Sequence, residues 1–216
     1  RVKTKLLFGF MLATFFISMW LNNTSTTLMM LPVALAVIKQ LHGGDATKRS
    51  GLATAILLAI SYASTIGGTA TLVGTLPNMV MKKFYDENFA TAAPLDFSNW
   101  FLFAFPLSVV FLIVCFLVFK YLLLPKSDHI LPDSNYCKEE YHKLGKMSFE
   151  EKAIAWIFSS AILLWFTLDD KDIWGLHITG WKTLLLNAHI IPDEKFVNES
   201  FVAILMGLSL FFFPSK

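Results

Sequence analysis

Two short runs hold the polar chemistry that sits inside long apolar stretches of this chain. The first is Asn22-Asn23-Thr24-Ser25-Thr26-Thr27, within an uncharged stretch from Leu6 to Ile38. The second is Ser64-Thr65-Ile66-Gly67-Gly68-Thr69-Ala70-Thr71, continuing to Gly74-Thr75-Leu76-Pro77-Asn78, within an uncharged stretch from Ser50 to Met81. Hydroxyls, carboxamides and freed backbone groups offer neutral oxygens and N–H donors. Oxygens of this kind suit a small hard cation, and N–H groups at a helix start suit an anion. Neither run contains Asp, Glu, His, Lys or Arg. An intramembrane enzyme would need a base, an Asp pair or a metal set there, and a proton-coupled carrier keeps a titratable group at membrane depth. The residues therefore favour Na⁺ over H⁺ as a coupled ion.

The elements that must position these groups follow from length. A straight helix from Leu6 to Ile38 would span roughly 50 Å, against a bilayer core of about 30 Å. Six consecutive polar side chains facing lipid would be costly. Both problems vanish if Leu6–Leu21 enters, the polar run turns, and Leu28–Leu41 returns. Residues 1–41 then form a re-entrant helical hairpin, tolerated where its tip is buried in protein or lines a wet cavity. Residues 47–86 read as a crossing helix broken in the middle. Ser50–Ala63 is helical, the Gly-Gly pair and Pro77 weaken the helix beyond Ala63, and Pro77 suits the first turn of a new helix. Helix N-termini then fall near Thr24 and Pro77, and C-termini near Asn22 and Ser64. The former could face an anion and the latter a cation. Asn23, Thr24, Thr26, Thr71, Thr75 and Asn78 would complete the site. Interrupted helices at membrane depth are the mark of a transport site.

The remainder fits a membrane chain. Hydrophobic residues make up 55% and charged residues 16%, with a mean hydropathy of +0.57, and a soluble domain carries about 25% charge. Residues 97–124 and 151–168 read as transmembrane helices, joined by a loop at 125–150 and followed by a loop at 169–198. Residues 199–216 read as the start of a further, truncated span. All basic residues except Lys82, Lys83, Lys171, Lys182 and Lys195 fall on the side from which the hairpin opens. By the positive-inside rule that side is the cytoplasm, which puts 125–150 inside and 169–198 outside. The charges of Asp169-Asp170-Lys171-Asp172 read as a solvated loop face. The net charge of +2 gives no footprint for nucleic acid. Cys115 and Cys137 form neither a metal motif nor a disulfide framework.

Ser18-Met19-Trp20-Leu21-Asn22-Asn23-Thr24-Ser25-Thr26-Thr27-Leu28-Met29-Met30-Leu31-Pro32 resembles the first signature of the divalent anion/sodium symporter family. Tyr62 to Asn78 resembles that family's broken fifth helix, and Lys138-Glu139-Glu140-Tyr141-His142-Lys143-Leu144-Gly145 resembles the cytoplasmic loop of its animal-type dicarboxylate and citrate members. The resemblance covers nearly the whole chain. It implies an all-α membrane protein, one of two inverted repeats of a homodimeric elevator-type transporter, in the plasma membrane. It implies Na⁺-coupled transport of a small divalent anion such as succinate or citrate. On the matching positions, Asn22, Asn23, Thr24, Gly74, Thr75, Pro77 and Asn78 would meet substrate, and Asn22, Asn23, Gly68, Thr69 and Thr71 would hold Na⁺. Asn22 departs from the family's usual Ser, which bears on substrate size.

Other readings of the same residues are weaker. The Asn22–Thr24 cluster could glue helices together, but a second interrupted segment argues for a site. The sequons at Asn22 and Asn23 would be buried in the membrane, whereas Asn198-Glu199-Ser200 falls in the outer loop. Gly67-Gly68 could be a packing notch, which is compatible with the site. The stretch from Gly68 to Gly74 lacks the Lys-Ser/Thr of a phosphate loop. A channel would show a carbonyl filter or rings of charge, which this sequence lacks. A sodium-independent exchanger or a sulfate transporter on the same fold remains open.

Overall fold

The computed structural model describes residues 2–41, 51–89, 95–124, 145–173, 176–193 and 196–213. Within them the chain is helical apart from one two-stranded ribbon. It divides into two compact units, Arg1–Leu95 with Asn99–Glu139, and Asp96–Ser98 with Glu140–Lys216.

The first unit contains α1 (Val2–Ser18), α2 (Asn23–Leu41), α3 (Gly51–Ala70), α4 (Leu76–Asn88) and most of α5 (Phe97–Val118), which ends in a π-helical turn over Phe119–Leu123. Both α1 and α2 pack on α3. The contact rows run at four-residue spacing: Leu7, Met11, Phe15 and Met19 on α1, Met30, Ala34 and Ile38 on α2, and Leu52, Ile56 and Ile60 on α3. Beside the last row lie Ala55, Ala59, Ala63 and Gly67, all buried. Inside a bilayer, burying apolar groups gains little, so close backbone approach over small residues supplies the packing. Gly67 shows how close: a Cβ there would lie 2.4 Å from the Phe15 carbonyl oxygen.

Gly51–Ala70 and Phe97–Leu123 are long and apolar enough to cross a membrane. Their surroundings differ. Half of the apolar window of α3 is buried in the protein, against 17% for α5. Leu102 and Phe103 on α5 are almost three-quarters exposed, as expected of a helix whose partner is lipid. α3 is instead the post on which the first unit is built.

Two boundaries differ from the sequence reading. The polar run is not an irregular turn: only residues 19–22 interrupt the helices, and Asn23–Thr27 form the first turns of α2. α3 likewise runs past Ser64 and through Gly67-Gly68 to Ala70, so the second break is confined to residues 71–75. Pro77 lies in the first turn of α4. Most of the 125–150 loop, including Lys138–Leu144, lies outside the described residues.

The second unit holds α6 (Phe149–Phe166), β1 (Lys171–Ile173), β2 (Leu176–Ile178), α7 (Trp181–Asn187) and α8 (Glu199–Ser209), which tightens to a 3₁₀ turn over Leu210–Phe212. A capping box starts α6: Ser148 accepts from the Glu151 amide, and the Glu151 carboxylate accepts from the Ser148 amide. Phe97 stacks on Trp165 at 5.8 Å and meets the edge of Phe166 at 5.0 Å. The Trp165 indole donates to the Glu199 carbonyl at 3.0 Å.

Asp169, Asp170 and Lys171 are structural rather than a bare solvated face. β1 and β2 pair antiparallel, Lys171 opposite Ile178. Lys182 forms a half-buried ion pair with Asp169. Asp170 accepts from the Gly180 amide at 2.6 Å. That bond, with help from the Thr183 hydroxyl, holds the Asp170 carboxyl below its ordinary value. Burial holds Lys171 below its ordinary value, against the pull of Asp96 and Asp169.

Candidate functional site

The two interruptions in the first unit are stitched to each other by side chains. The Ser18 hydroxyl, at the end of α1, reaches the Ser64 carbonyl at 2.7 Å and Asn23 Oδ1 at 3.0 Å. Thr71, just past the end of α3, donates to the Met19 carbonyl and accepts from the Gly74 amide at 3.1 Å. The Ser64 and Thr27 hydroxyls meet at 2.9 Å, and Thr27 also donates to the Asn23 carbonyl at 2.9 Å. Ser18, Ser64 and Thr71 are all buried. Buried hydroxyls are tolerated when bonded, and each of these spends its bonds between the breaks.

Two glycines are required by this closeness. A Cβ on Gly68 would lie 2.1 Å from Asn23 Oδ1, so the Asn23 carboxamide rests directly on the α3 backbone. A Cβ on Gly74 would lie 2.6 Å from the Gly68 carbonyl oxygen and 2.9 Å from that of Met19. Carbonyls from the ends of α1 and α3 therefore converge on one small region, with Asn23 Oδ1 beside it. Helix C-termini carry partial negative charge, and although the Met19 carbonyl accepts from Thr71 and the Gly68 carbonyl from Asn78, a carbonyl oxygen has two lone pairs. Asn23 Oδ1 shares the Ser18 hydrogen with the Ser64 carbonyl, and a carboxamide oxygen has two lone pairs. An oxygen-rich, neutral set of this type suits a small hard cation such as Na⁺.

Asn78 closes the same region from the other side. Its carboxamide is buried and donates both hydrogens, to Gly68 O at 2.9 Å and Thr71 O at 2.8 Å. Only its Oδ1 is left to meet a ligand, and only as an acceptor. Among the described residues no cluster of three His, Cys, Asp or Glu side chains exists.

The helix starts are not alike. Asn22 caps α2: its Oδ1 accepts from Thr24 N at 2.8 Å and Ser25 N at 3.2 Å, and its carbonyl accepts from Thr26 N at 3.0 Å. Asn22 and Thr24 are exposed. Thr75 occupies the N-cap position of α4, but its hydroxyl makes no capping bond. Pro77 has no N–H, and Asn78 N turns back to Thr75 O at 3.2 Å.

Of the residues expected from sequence, Asn23, Gly68, Thr71, Gly74 and Asn78 come together through these contacts. Asn22, Thr24, Thr75 and Pro77 line the two helix starts. Thr69 turns elsewhere: its hydroxyl meets Ser108 Oγ on α5 at 3.0 Å, and its carbonyl accepts from the Trp100 indole at 3.1 Å. Thr26 is fully buried, and its hydroxyl has no hydrogen-bond partner among the described residues. Ser18, Thr27 and Ser64 join the site through their hydroxyls, to which the sequence reading gives no role, although it sets Thr27 in the first polar run and Ser64 near a helix end that could face a cation. Their signal is four-residue spacing, Ser64 to Gly68 on α3 and Asn23 to Thr27 on α2, which puts each pair on one helix face.

A family model described as "Citrate transporter" matches residues 1–212. The sodium-dependent dicarboxylate transporter SdcS of Staphylococcus aureus strain USA300 is 32% identical over 219 positions, covering 99% of this chain and 39% of the relative. The same protein from strain bovine RF122 aligns equally. The chain thus spans about two-fifths of the length of the curated relatives it matches. The motifs that bring two broken elements together in the first unit lie inside the matched span, and the chain belongs to the citrate transporter family of integral membrane transport proteins.

Proposed function

We infer that this chain supplies one half of a Na⁺-coupled carrier for small dicarboxylate anions, with succinate and citrate as the candidate substrates. The observation that carries the reading is the set of neutral oxygens packed around two glycines, the Met19 and Gly68 carbonyls against Gly74 and Asn23 Oδ1 against Gly68, with no titratable side chain in either interrupted segment. Such a set binds a cation without a proton. The anion goes to the helix starts, to the positive end of α4, which has no side-chain cap, and to the hydroxyls of Thr24 and Thr75. A cation bound at the carbonyl ends adds positive charge next to the anion, so each ligand strengthens the other. The relatives' name, a sodium-dependent dicarboxylate transporter, agrees with this chemistry.

The reading extends to α1 and α2 as a re-entrant hairpin opening to the cytoplasm, α3 and α4 as a broken crossing helix, and one of two inverted repeats. Elevator motion, homodimer assembly and a plasma-membrane location enter through the family resemblance. A sulfate transporter and a sodium-independent exchanger are the competing outcomes. Uptake of radiolabelled succinate, citrate and sulfate by the intact transporter in proteoliposomes, with Na⁺ replaced by choline, tests it. The expected result is uptake of a dicarboxylate or citrate that collapses in choline. Uptake that persists in choline and requires an internal anion would make the protein an exchanger and remove the cation role from Asn23 and Gly68.

A further inference from the structure

Ser64 sits in a buried row of α3 whose earlier members are Ile56 and Ile60. A hydroxyl in such a row costs stability unless it is hydrogen-bonded. Ser64 Oγ lies 2.9 Å from Thr27 Oγ1, 3.3 Å from the Asn23 carbonyl and 3.3 Å from the Ser61 carbonyl. Its own carbonyl accepts from Ser18 Oγ at 2.7 Å, and the same Ser18 oxygen lies 3.0 Å from Asn23 Oδ1. A serine hydroxyl has one hydrogen, so Ser18 divides it between Ser64 O and Asn23 Oδ1. Ser64 therefore reaches both ends of Asn23: its backbone carbonyl directly and through Thr27, and its carboxamide through Ser18. One helical turn further along the same face is Gly68, on which that carboxamide rests.

We propose that Ser64 is a positioning residue for the cation half of the site, setting with Thr27 the pose of Asn23 against Gly68 and thereby the affinity for Na⁺, with no part in holding the anion. This rests on the Na⁺-coupled reading given above. A serine present only for packing would, when replaced, lower the amount of folded protein or the maximal rate. A positioning serine shifts Na⁺ dependence selectively.

The test uses the intact transporter in proteoliposomes, comparing wild type with Ser64→Ala, Thr27→Val and Thr27→Ser. Anion uptake is measured against external Na⁺, the anion KM is measured at saturating Na⁺, and the Na⁺-induced rise in melting temperature is measured on purified protein. Ser64→Ala is expected to raise the Na⁺ half-saturation about five- to tenfold, the loss of roughly one hydrogen bond. Thr27→Val is expected to act in the same direction and Thr27→Ser to keep the wild-type value. The anion KM at saturating Na⁺ stays unchanged, and the double variant Ser64→Ala/Thr27→Val is less than additive because the two share one network. If Ser64→Ala fails to fold, Thr27→Val against Thr27→Ser carries the comparison. A Na⁺-dependent wild type with unshifted half-saturation in these variants, or a parallel rise in anion KM, overturns this inference alone. A wild type indifferent to Na⁺ overturns the coupled reading and this inference with it.

Discussion

α2 and α4 both begin at a break in the membrane-embedded chain, yet their first turns are finished in opposite ways. α2 carries its own cap: Asn22 Oδ1 occupies the Thr24 and Ser25 amides. α4 has Thr75 at the capping position with its hydroxyl unused for that purpose. The C-terminal sides of the two breaks are joined instead, through Thr71 to Met19 and Ser18 to Ser64. The contrast separates two jobs. On the proposed reading the joined carbonyl ends are the fixed cation region, whereas the N–H ends differ in how much of their positive charge is already spoken for. On that reading an anion would have to compete with Asn22 at α2, and it would meet no side-chain cap at α4.

The largest expected effect comes from the fixed region. Gly68→Ala drives a methyl group into the Asn23 carboxamide, 2.1 Å away, and should abolish Na⁺-driven uptake in the liposome assay while leaving a folded protein. Gly67→Ala is the control beside it. Its methyl group meets the Phe15 backbone at 2.4 Å, which cannot swing aside as a side chain can. That variant should lose stability, about 1–3 kcal/mol by the usual cost of overpacking, read from the melting temperature. If Gly68→Ala retains full Na⁺ dependence, the carbonyl ends are a packing joint and not a cation region.

Much of this is legible in the sequence, and the failures have physical causes. The two interruptions announce themselves because six polar residues, and later a Gly-Gly and a Pro, cannot sit in a plain span. Their edges fall elsewhere than expected for one reason. Local weakness in helix propensity suggests the end of a helix, but tertiary packing decides. Gly67 and Gly68 stay helical because α1 and Asn23 press against them. The polar run stays helical because Asn22 caps it. The Ser18–Ser64 bond escapes sequence reasoning because Ser18 is a lone serine in an apolar helix and carries no pattern until its partner, 46 residues away, is known. The clasp of Asp169 with Lys182 and Asp170 with Gly180 is invisible for the same reason.

An intermediate effect is expected from closing the open helix start. Asn is among the best capping residues, stabilising a helix by about 1 kcal/mol over a non-capping side chain. Thr75→Asn would give α4 the finish that α2 already has. The melting temperature should rise slightly, and the anion KM should rise about fivefold, the equivalent of that cap competing with substrate. The Na⁺ half-saturation measured at saturating anion should not move. An unchanged anion KM would mean that the α4 start does not face substrate, and the contrast between the two helix starts would lose its functional meaning.

The smallest effect is the most discriminating, because it concerns Asn22, where the family resemblance leads one to expect serine. Serine and asparagine both cap helices well, so Asn22→Ser should leave the melting temperature unchanged. Asn22→Ala removes the oxygen that satisfies Thr24 N and Ser25 N and should cost about 1 kcal/mol. If capping were all that Asn22 does, the serine variant would transport succinate, citrate and sulfate in the wild-type ratio. The Asn22 carboxamide, however, is exposed at the helix start and larger than a hydroxyl. Its NH₂ makes no hydrogen bond among the described residues, because both of its side-chain bonds use Oδ1. A free donor at that point has a carboxylate to meet, and its removal should shift the ratio between anions by a small factor while total expression stays level. A shifted ratio with an unmoved melting temperature would separate the two functions of one side chain, the oxygen holding α2 and the nitrogen selecting the anion. An unmoved ratio would reduce Asn22 to the cap alone and leave α4 as the helix start that chooses the substrate.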